Sequence, residues 1–269
     1  MKTHYLHQNF EGYLRTPLLW NNNALYGLKQ CFLSDYVFCD FNEKVPKNLR
    51  LGQLVERFVM HQIKYSTPPL RLLAANITII DNKRTVGEID ALLMSENGPI
   101  HLEIAYKFYL YDPDFGNDEL SHWIGPNRKD NLIQKLNKLK NRQLPLLYHS
   151  ETQKFLGDLN LIPNDIEQLV LFKAQLFVPI DYQNDIFFKL NPKCVKGFYI
   201  KPDDLQQFKA FQFYIPEKTD WLMDVDENVK WINYDDFVIN IKKWLDKQIA
   251  PLCWLNKNGV FSKFFVIWW

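Results

Sequence analysis

Residues 87–110 gather the side chains best suited to chemistry: Glu88, Asp90, His101, Glu103 and Lys107, set into otherwise apolar runs. Successive side chains of a strand point to opposite faces, so Glu88 and Asp90 share one face of a first arm. His101, Glu103, Ala105 and Lys107 share one face of a second. Two carboxylates on neighbouring strands form a hard-oxygen donor set, which suits Mg²⁺ or Mn²⁺ completed by waters and substrate phosphate oxygens. A cation held there polarises a phosphodiester, and a nearby lysine positions the attacking water or neutralises developing charge. Lys107 is the candidate for that lysine.

The elements that must position these groups follow from pattern. The Glu-Asn-Gly-Pro sequence at residues 96–99 is strong turn chemistry, so the two arms read as an antiparallel hairpin. Before it, a β-branched run at residues 71–81 predicts a third strand, ended by an Asp-Asn-Lys turn. Earlier still, Leu51, Leu54, Val55, Phe58, Val59 and Ile63 recur at helical spacing, predicting an amphipathic helix stopped by Pro68 and Pro69. Glu56 sits at the edge of that stripe, a position that suits either a solvated flank or a carboxylate leaning toward a site.

After the hairpin, the polar loop at residues 112–127 carries His122 and Trp123 and is long enough to be functional; His101 and His122 read as structural or solvated histidines. Residues 128–142 return to helical period and carry six Lys or Arg against one acid, Asp130. Arg128, Lys129, Lys135, Lys138 and Arg142 are therefore candidate phosphate contacts, with a solvated basic face as the plain alternative. Gln134 and Glu88 are further candidates for the site. Strands are expected at residues 168–180, 193–200, 211–215, 230–234 and 260–269, and helices at residues 25–32 and 237–249.

Composition bounds the rest. The chain has 269 residues, 47% hydrophobic and 15% aromatic, enough to bury a large core, and a net charge of +1 confines any polyanion contact to one region. No apolar run approaches the roughly 18 residues needed to span a bilayer, and the start of the chain has no signal-peptide character, so no membrane partner and a cytoplasmic location are expected. Cys31, Cys39, Cys194 and Cys253 lack metal-site spacing and read as free core thiols.

The order helix with Glu56, strand, strand with Asp90, strand with Glu103 and Lys107, basic helix resembles the core of the PD-(D/E)XK nuclease superfamily over about residues 49–200. The resemblance implies an α/β fold of α+β type, a restriction-endonuclease-like mixed central sheet flanked by helices with additional C-terminal elements. It also implies an N-terminal extension at residues 1–48 and an appended region at 201–269. It casts Glu56 as the helix-borne acid, Asp90 and Glu103 as metal ligands and Lys107 as the lysine, for hydrolysis of nucleic-acid phosphodiesters. The superfamily motif places lysine two residues after the acid, where this chain has Ala105; Lys107 stands two further on. A catalytically inactive nuclease-fold module that binds nucleic acid or a protein is the competing reading. The Glu-Ile-Ala-Tyr-Lys-Phe-Tyr-Leu segment from Glu103, the His-Trp-Ile-Gly-Pro-Asn segment from His122, the Gln-Leu-Pro-Leu segment from Gln143 and the aromatic tail together resemble the DUF1853 family, which implies the same fold and no established activity.

Overall fold

The structure, a computed structural model, describes residues 3–22, 24–33, 40–46, 49–183 and 187–269, with residues 3 and 4 by backbone alone. In chain order the elements are helix α1 (Thr3–Arg15), short strands β1 (Ala24–Leu25) and β2 (Leu28–Lys29), helix α2 (Leu51–Lys64), and strands β3 (Arg71–Asp81), β4 (Arg84–Ser95), β5 (Gly98–Tyr111) and β6 (Trp123–Ile124). Helices α3 (Leu132–Lys138) and α4 (Ser150–Asp158) follow, then β7 (Glu167–Pro179), β8 (Val195–Ile200), β9 (Gln212–Tyr214), helix α5 (Tyr234–Leu245), β10 (Leu252–Lys257) and β11 (Val260–Val266). This is a mixed α/β protein with a large mixed sheet flanked by helices. Two compact units interleave along the chain. A hairpin unit comprises Trp20–Tyr106 and Ile133–Lys173, and a terminal unit comprises Met1–Leu19, Lys107–Leu132 and Ala174–Trp269.

In the hairpin unit the expected amphipathic helix is α2, which buries Leu54, Val55, Phe58, Val59 and Ile63. Past its end, the Ser66 hydroxyl donates to the Ile63 carbonyl at 2.8 Å and accepts from the Leu70 amide at 3.2 Å, turning the chain toward β3. Strands β3, β4 and β5 form the expected antiparallel meander. The β3–β4 turn places Asn82 and Lys83 at φ 46° and 65°, a left-handed pair that Asn tolerates through its short polar side chain. The β4–β5 register runs from Ala91 opposite Leu102 to Ser95 opposite Gly98, and Asp90 and Glu103 lie immediately beyond its end. A cluster of Ile79, Ile89, Leu92, Leu146, Leu147, Leu156 and Ile166 forms the core below this meander. Gly87 matters to it: a Cβ there would stand 2.9 Å from Leu146 Cδ2, so its absence lets the segment after α3 lie close on β4.

Two expectations are corrected. Residues 25–32 do not form a helix; Tyr26 and Gly27 at φ 56° and 79° make the turn of the β1–β2 hairpin, a geometry no helix passes through. The basic helix is shorter than residues 128–142. Arg128 takes a left-handed φ of 55°, so α3 begins at Leu132; it runs into a π turn at Leu139–Gln143 and a 3₁₀ turn at Leu144–Tyr148, where Pro145 cannot supply an amide.

In the terminal unit the end of β7 pairs in parallel with β8, β8 pairs in parallel with β11, and β10 joins β11 and β9 antiparallel. Phe213, Phe237, Phe264, Leu255 and Val266 centre its core, with Phe213 and Phe237 stacked at 4.2 Å. Helix α5 begins at Tyr234 because the Asn233 side chain accepts from the Asp236 amide at 2.9 Å. The strand expected at residues 230–234 reduces to one bridge, Ile232 to Phe213, because α5 starts there. Cys31, Cys194 and Cys253 are buried free thiols, as their spacing implied, and Cys39 lies outside the described residues. Among the described residues, no helix is long and apolar enough to cross a membrane.

Candidate acidic site

Three elements of the hairpin unit bring acids together: α2 supplies Glu56, β4 supplies Glu88 and Asp90, and β5 supplies Glu103. Glu103 is fully buried, Asp90 and Glu56 are partly buried, and Glu88 is exposed. Asp90 Oδ2 accepts from the Ile104 backbone amide at 2.7 Å, which pins the carboxyl across the β4–β5 pairing and leaves Oδ1 as its second acceptor.

Glu103 is held more elaborately. Its Oε1 meets His101 Nε2 at 2.9 Å, and its Oε2 accepts from the side-chain amide of Gln143. Gln168 completes the set, with its amide nitrogen 3.1 Å from His101 Nδ1 and also donating to the Leu144 carbonyl. That amide has only donors at nitrogen, so the network assigns Nδ1 as acceptor and puts the imidazole proton on Nε2, pointing at Glu103. Burial pushes His101 down to about 4, although the Asp90 charge opposes it. The contact is therefore a neutral imidazole donating to a carboxyl, and not an ion pair.

Burial also raises the acids. Asp90 is pushed up to about 7, by desolvation first and then by the Glu103 charge, against the Ile104 amide and Lys135. Glu103 is likewise raised to about 7 by desolvation, against Lys135, its contacts with Asp90, and Lys138. Side chains that close titrate as a pair, sharing protons in the neutral range. Glu56 rises to about 7 through burial, Asp90 and Glu88, in that order.

The cations that act on this cluster come from the basic helix. Lys135 on α3 donates to Gln143 Oε1 at 3.0 Å, so a chain runs Lys135, Gln143, Glu103. The π turn at Leu139–Gln143 widens the helix by one residue at the place where Gln143 is delivered. Lys138 and Arg142 are exposed nearby in sequence. Arg128 and Lys129 precede α3 in the terminal unit, where Arg128 Nη1 bonds Asp112 Oδ2 at 2.8 Å and its guanidinium lies 4.5 Å from the Trp269 ring. Lys107, also in that unit, forms a 2.6 Å ion pair with Asp130 Oδ2.

Gln134, the amide singled out for the site, is exposed, and Gln143 is the amide that meets Glu103. Gln168 carried no signal, because a single glutamine at a strand start is unremarkable until its partners are known. His122 Nδ1 lies 3.1 Å from the Asp112 carbonyl oxygen. Among the described residues, no group of three or more His, Cys, Asp or Glu side chains converges closely enough to hold a metal ion. Hydrated Mg²⁺ needs only one or two carboxylates, and Asp90 with Glu103, both raised in pKa by burial, fit that requirement.

One protein-family model, described as Domain of unknown function (DUF1853), matches residues 40–261. No curated protein and no solved structure matches the chain.

Proposed function

The chain belongs to the DUF1853 family, and from that premise we propose that its hairpin unit is a divalent-cation-dependent, nuclease-like site acting on nucleic-acid phosphodiesters. The observation that carries the reading is the juxtaposition of Glu56, Asp90 and Glu103 from three elements, each raised to about 7, beside Lys135. Burying several carboxylates is costly unless something compensates, and a hard cation is the ordinary compensation. A restriction-endonuclease-like arrangement of the core accords with the same order of elements.

When bound, Mg²⁺ or Mn²⁺ would supply Lewis-acid polarisation of the scissile phosphate. Asp90 and Glu103 would hold it, Asp90 through Oδ1. His101 and Gln143 keep Glu103 in one rotamer, and Gln168 keeps His101 in the tautomer that donates. Glu56, poised near neutrality, can take the proton from an attacking water. Lys135, whose charge acts on Asp90 and Glu103, would take the role expected of Lys107, balancing charge on the substrate, while Lys138 and Arg142 would contact flanking phosphates.

A second reading, a catalytically inactive nuclease-fold module that binds nucleic acid, is favoured by two observations: Lys107 is engaged by Asp130, and both Glu103 oxygens already accept hydrogen bonds. Cleavage assays on single-stranded, double-stranded and branched DNA and RNA separate the two. The enzyme reading expects Mg²⁺- or Mn²⁺-dependent cutting that Asp90→Ala and Lys135→Ala abolish. Salt-sensitive binding with no cutting of any substrate selects the module.

A further inference from the structure

The terminal unit holds a second buried charge that the acidic site does not use. Lys263 on β11 is 6% exposed, yet its ammonium has no carboxylate partner within 4.0 Å among the described residues. Its Nζ donates to Gln175 Oε1 at 3.1 Å and to the Trp221 carbonyl at 3.2 Å, using two of three donors. A lysine in the middle of an apolar sheet is expensive, and here it lines an open hollow of about 370 Å³.

The hollow exists for a sequence reason. Gly197 on β8 stands opposite Lys263 in the parallel register, where a Cβ would collide with the Lys263 carbonyl oxygen, so that strand position offers no side chain to fill the hollow. The neighbouring strand residue Lys196 and Arg15 at the end of α1 complete the basic lining, against one acid, Asp224, which Arg15 Nε already engages at 2.8 Å. An adjoining hollow shares Arg15 and Asp224 but is acidic, with Glu11, Asp226 and Glu227 in its wall. A long polyanion such as nucleic acid would meet those acids; a small anion would not.

We propose that the hollow floored by Lys263 binds a small oxyanion, the phosphate or carboxylate group of a compact metabolite, with Lys263 supplying its third donor and Lys196 the second cation. The site is separate from the acidic one and does not depend on the nuclease reading. Its electrostatics accord with this. Burial lowers Lys263 to about 7; Asp224 opposes that, and Lys196 and Arg15 reinforce it. Gln175 from β7 and the Trp221 carbonyl, the other groups facing the amine, are uncharged. An incoming anion restores the lysine's charge, so binding at pH 8 takes up a proton.

Titration calorimetry of the whole chain with inorganic phosphate and with acetate, in two buffers of different ionisation enthalpy at pH 8, tests the proposal. Saturable binding of at least one anion is expected, with a dissociation constant on the order of 1 mM or tighter, together with proton uptake. Lys196→Ala should weaken it about fivefold and Lys263→Met at least about tenfold, a loss of roughly 1.4 kcal/mol, whereas Asp90→Asn leaves it unchanged. Absence of saturation by both anions overturns the proposal, as does binding that neither lysine variant alters. Should Lys263→Met fail to fold, Lys196→Ala and the proton uptake decide: unchanged affinity without uptake rejects the site.

Discussion

The two units each bury ionisable groups, and they do so with opposite signs. In the hairpin unit burial raises Asp90 on β4 and Glu103 on β5 to about 7 each. In the terminal unit Lys263 is held by Gln175 and the Trp221 carbonyl, and burial lowers it to about 7. Desolvation penalises whichever form is charged, so carboxyls rise and the amine falls. Both sites thus sit at the edge of ionisation near neutral pH, where a bound counter-ion tips them. A cation would suit the first and an anion the second.

The largest expected effect that separates the units is on activity. Asp90→Asn should reduce divalent-dependent cleavage by about 10²-fold or more, as loss of a charge-stabilising group does, while phosphate binding at Lys263 stays intact. Loss of both functions together would mean that the variant had disturbed the fold, and would break the comparison.

Stability should move the other way. Asn at position 90 keeps an oxygen for the Ile104 amide but removes the buried negative charge, so Asp90→Asn should gain about 1–3 kcal/mol at pH 8 in the absence of divalent cations. Chemical denaturation measures it. A loss of stability would show that Asp90 is already compensated.

The pH profile sharpens the contrast. The folded carboxyls at about 7 bind more protons than their unfolded counterparts, so their contribution to stability falls as pH rises from about 4 through 7. His101, lowered to about 4, binds fewer protons when folded, so its contribution rises between pH 4 and 6.5 and partly cancels theirs. Lys263 binds fewer protons when folded between about 7 and 10.5, so its contribution rises over that window. Asp90→Asn should therefore flatten the acid side of the measured profile, and Lys263→Met the alkaline side. Near pH 6, where wild-type Lys263 is charged, Lys263→Met should add about 1 kcal/mol.

Smallest is the effect of Lys107→Ala. Its ion pair with Asp130 is partly exposed, so about 1 kcal/mol or less is at stake. Cleavage should survive this change and fail in Lys135→Ala; the reverse pattern would return the catalytic lysine to β5.

Much of the hairpin unit was legible in the sequence because its patterns are local. The α2 stripe and the β3–β4–β5 meander follow from periodicity and turn chemistry. What was not legible depends on distant partners. Lys107 has the parity expected of an active-site lysine, yet strand parity says nothing of Asp130, which engages it. Gln143 reaches Glu103 only because the helix widens into a π turn, and no spacing rule places such a turn. Lys263 lies in an aromatic tail that reads as core, and its significance arises from Gly197 opposite, on a strand more than sixty residues earlier in the sequence.

The central claim is that the acidic cluster takes a divalent cation. Calorimetric titration of Mn²⁺ into the wild-type chain and into Asp90→Asn at pH 8 tests it most directly. Saturable binding of Mn²⁺ to the wild type and loss of binding in Asp90→Asn are predicted. Binding of equal strength in the variant, or none in the wild type, would contradict it.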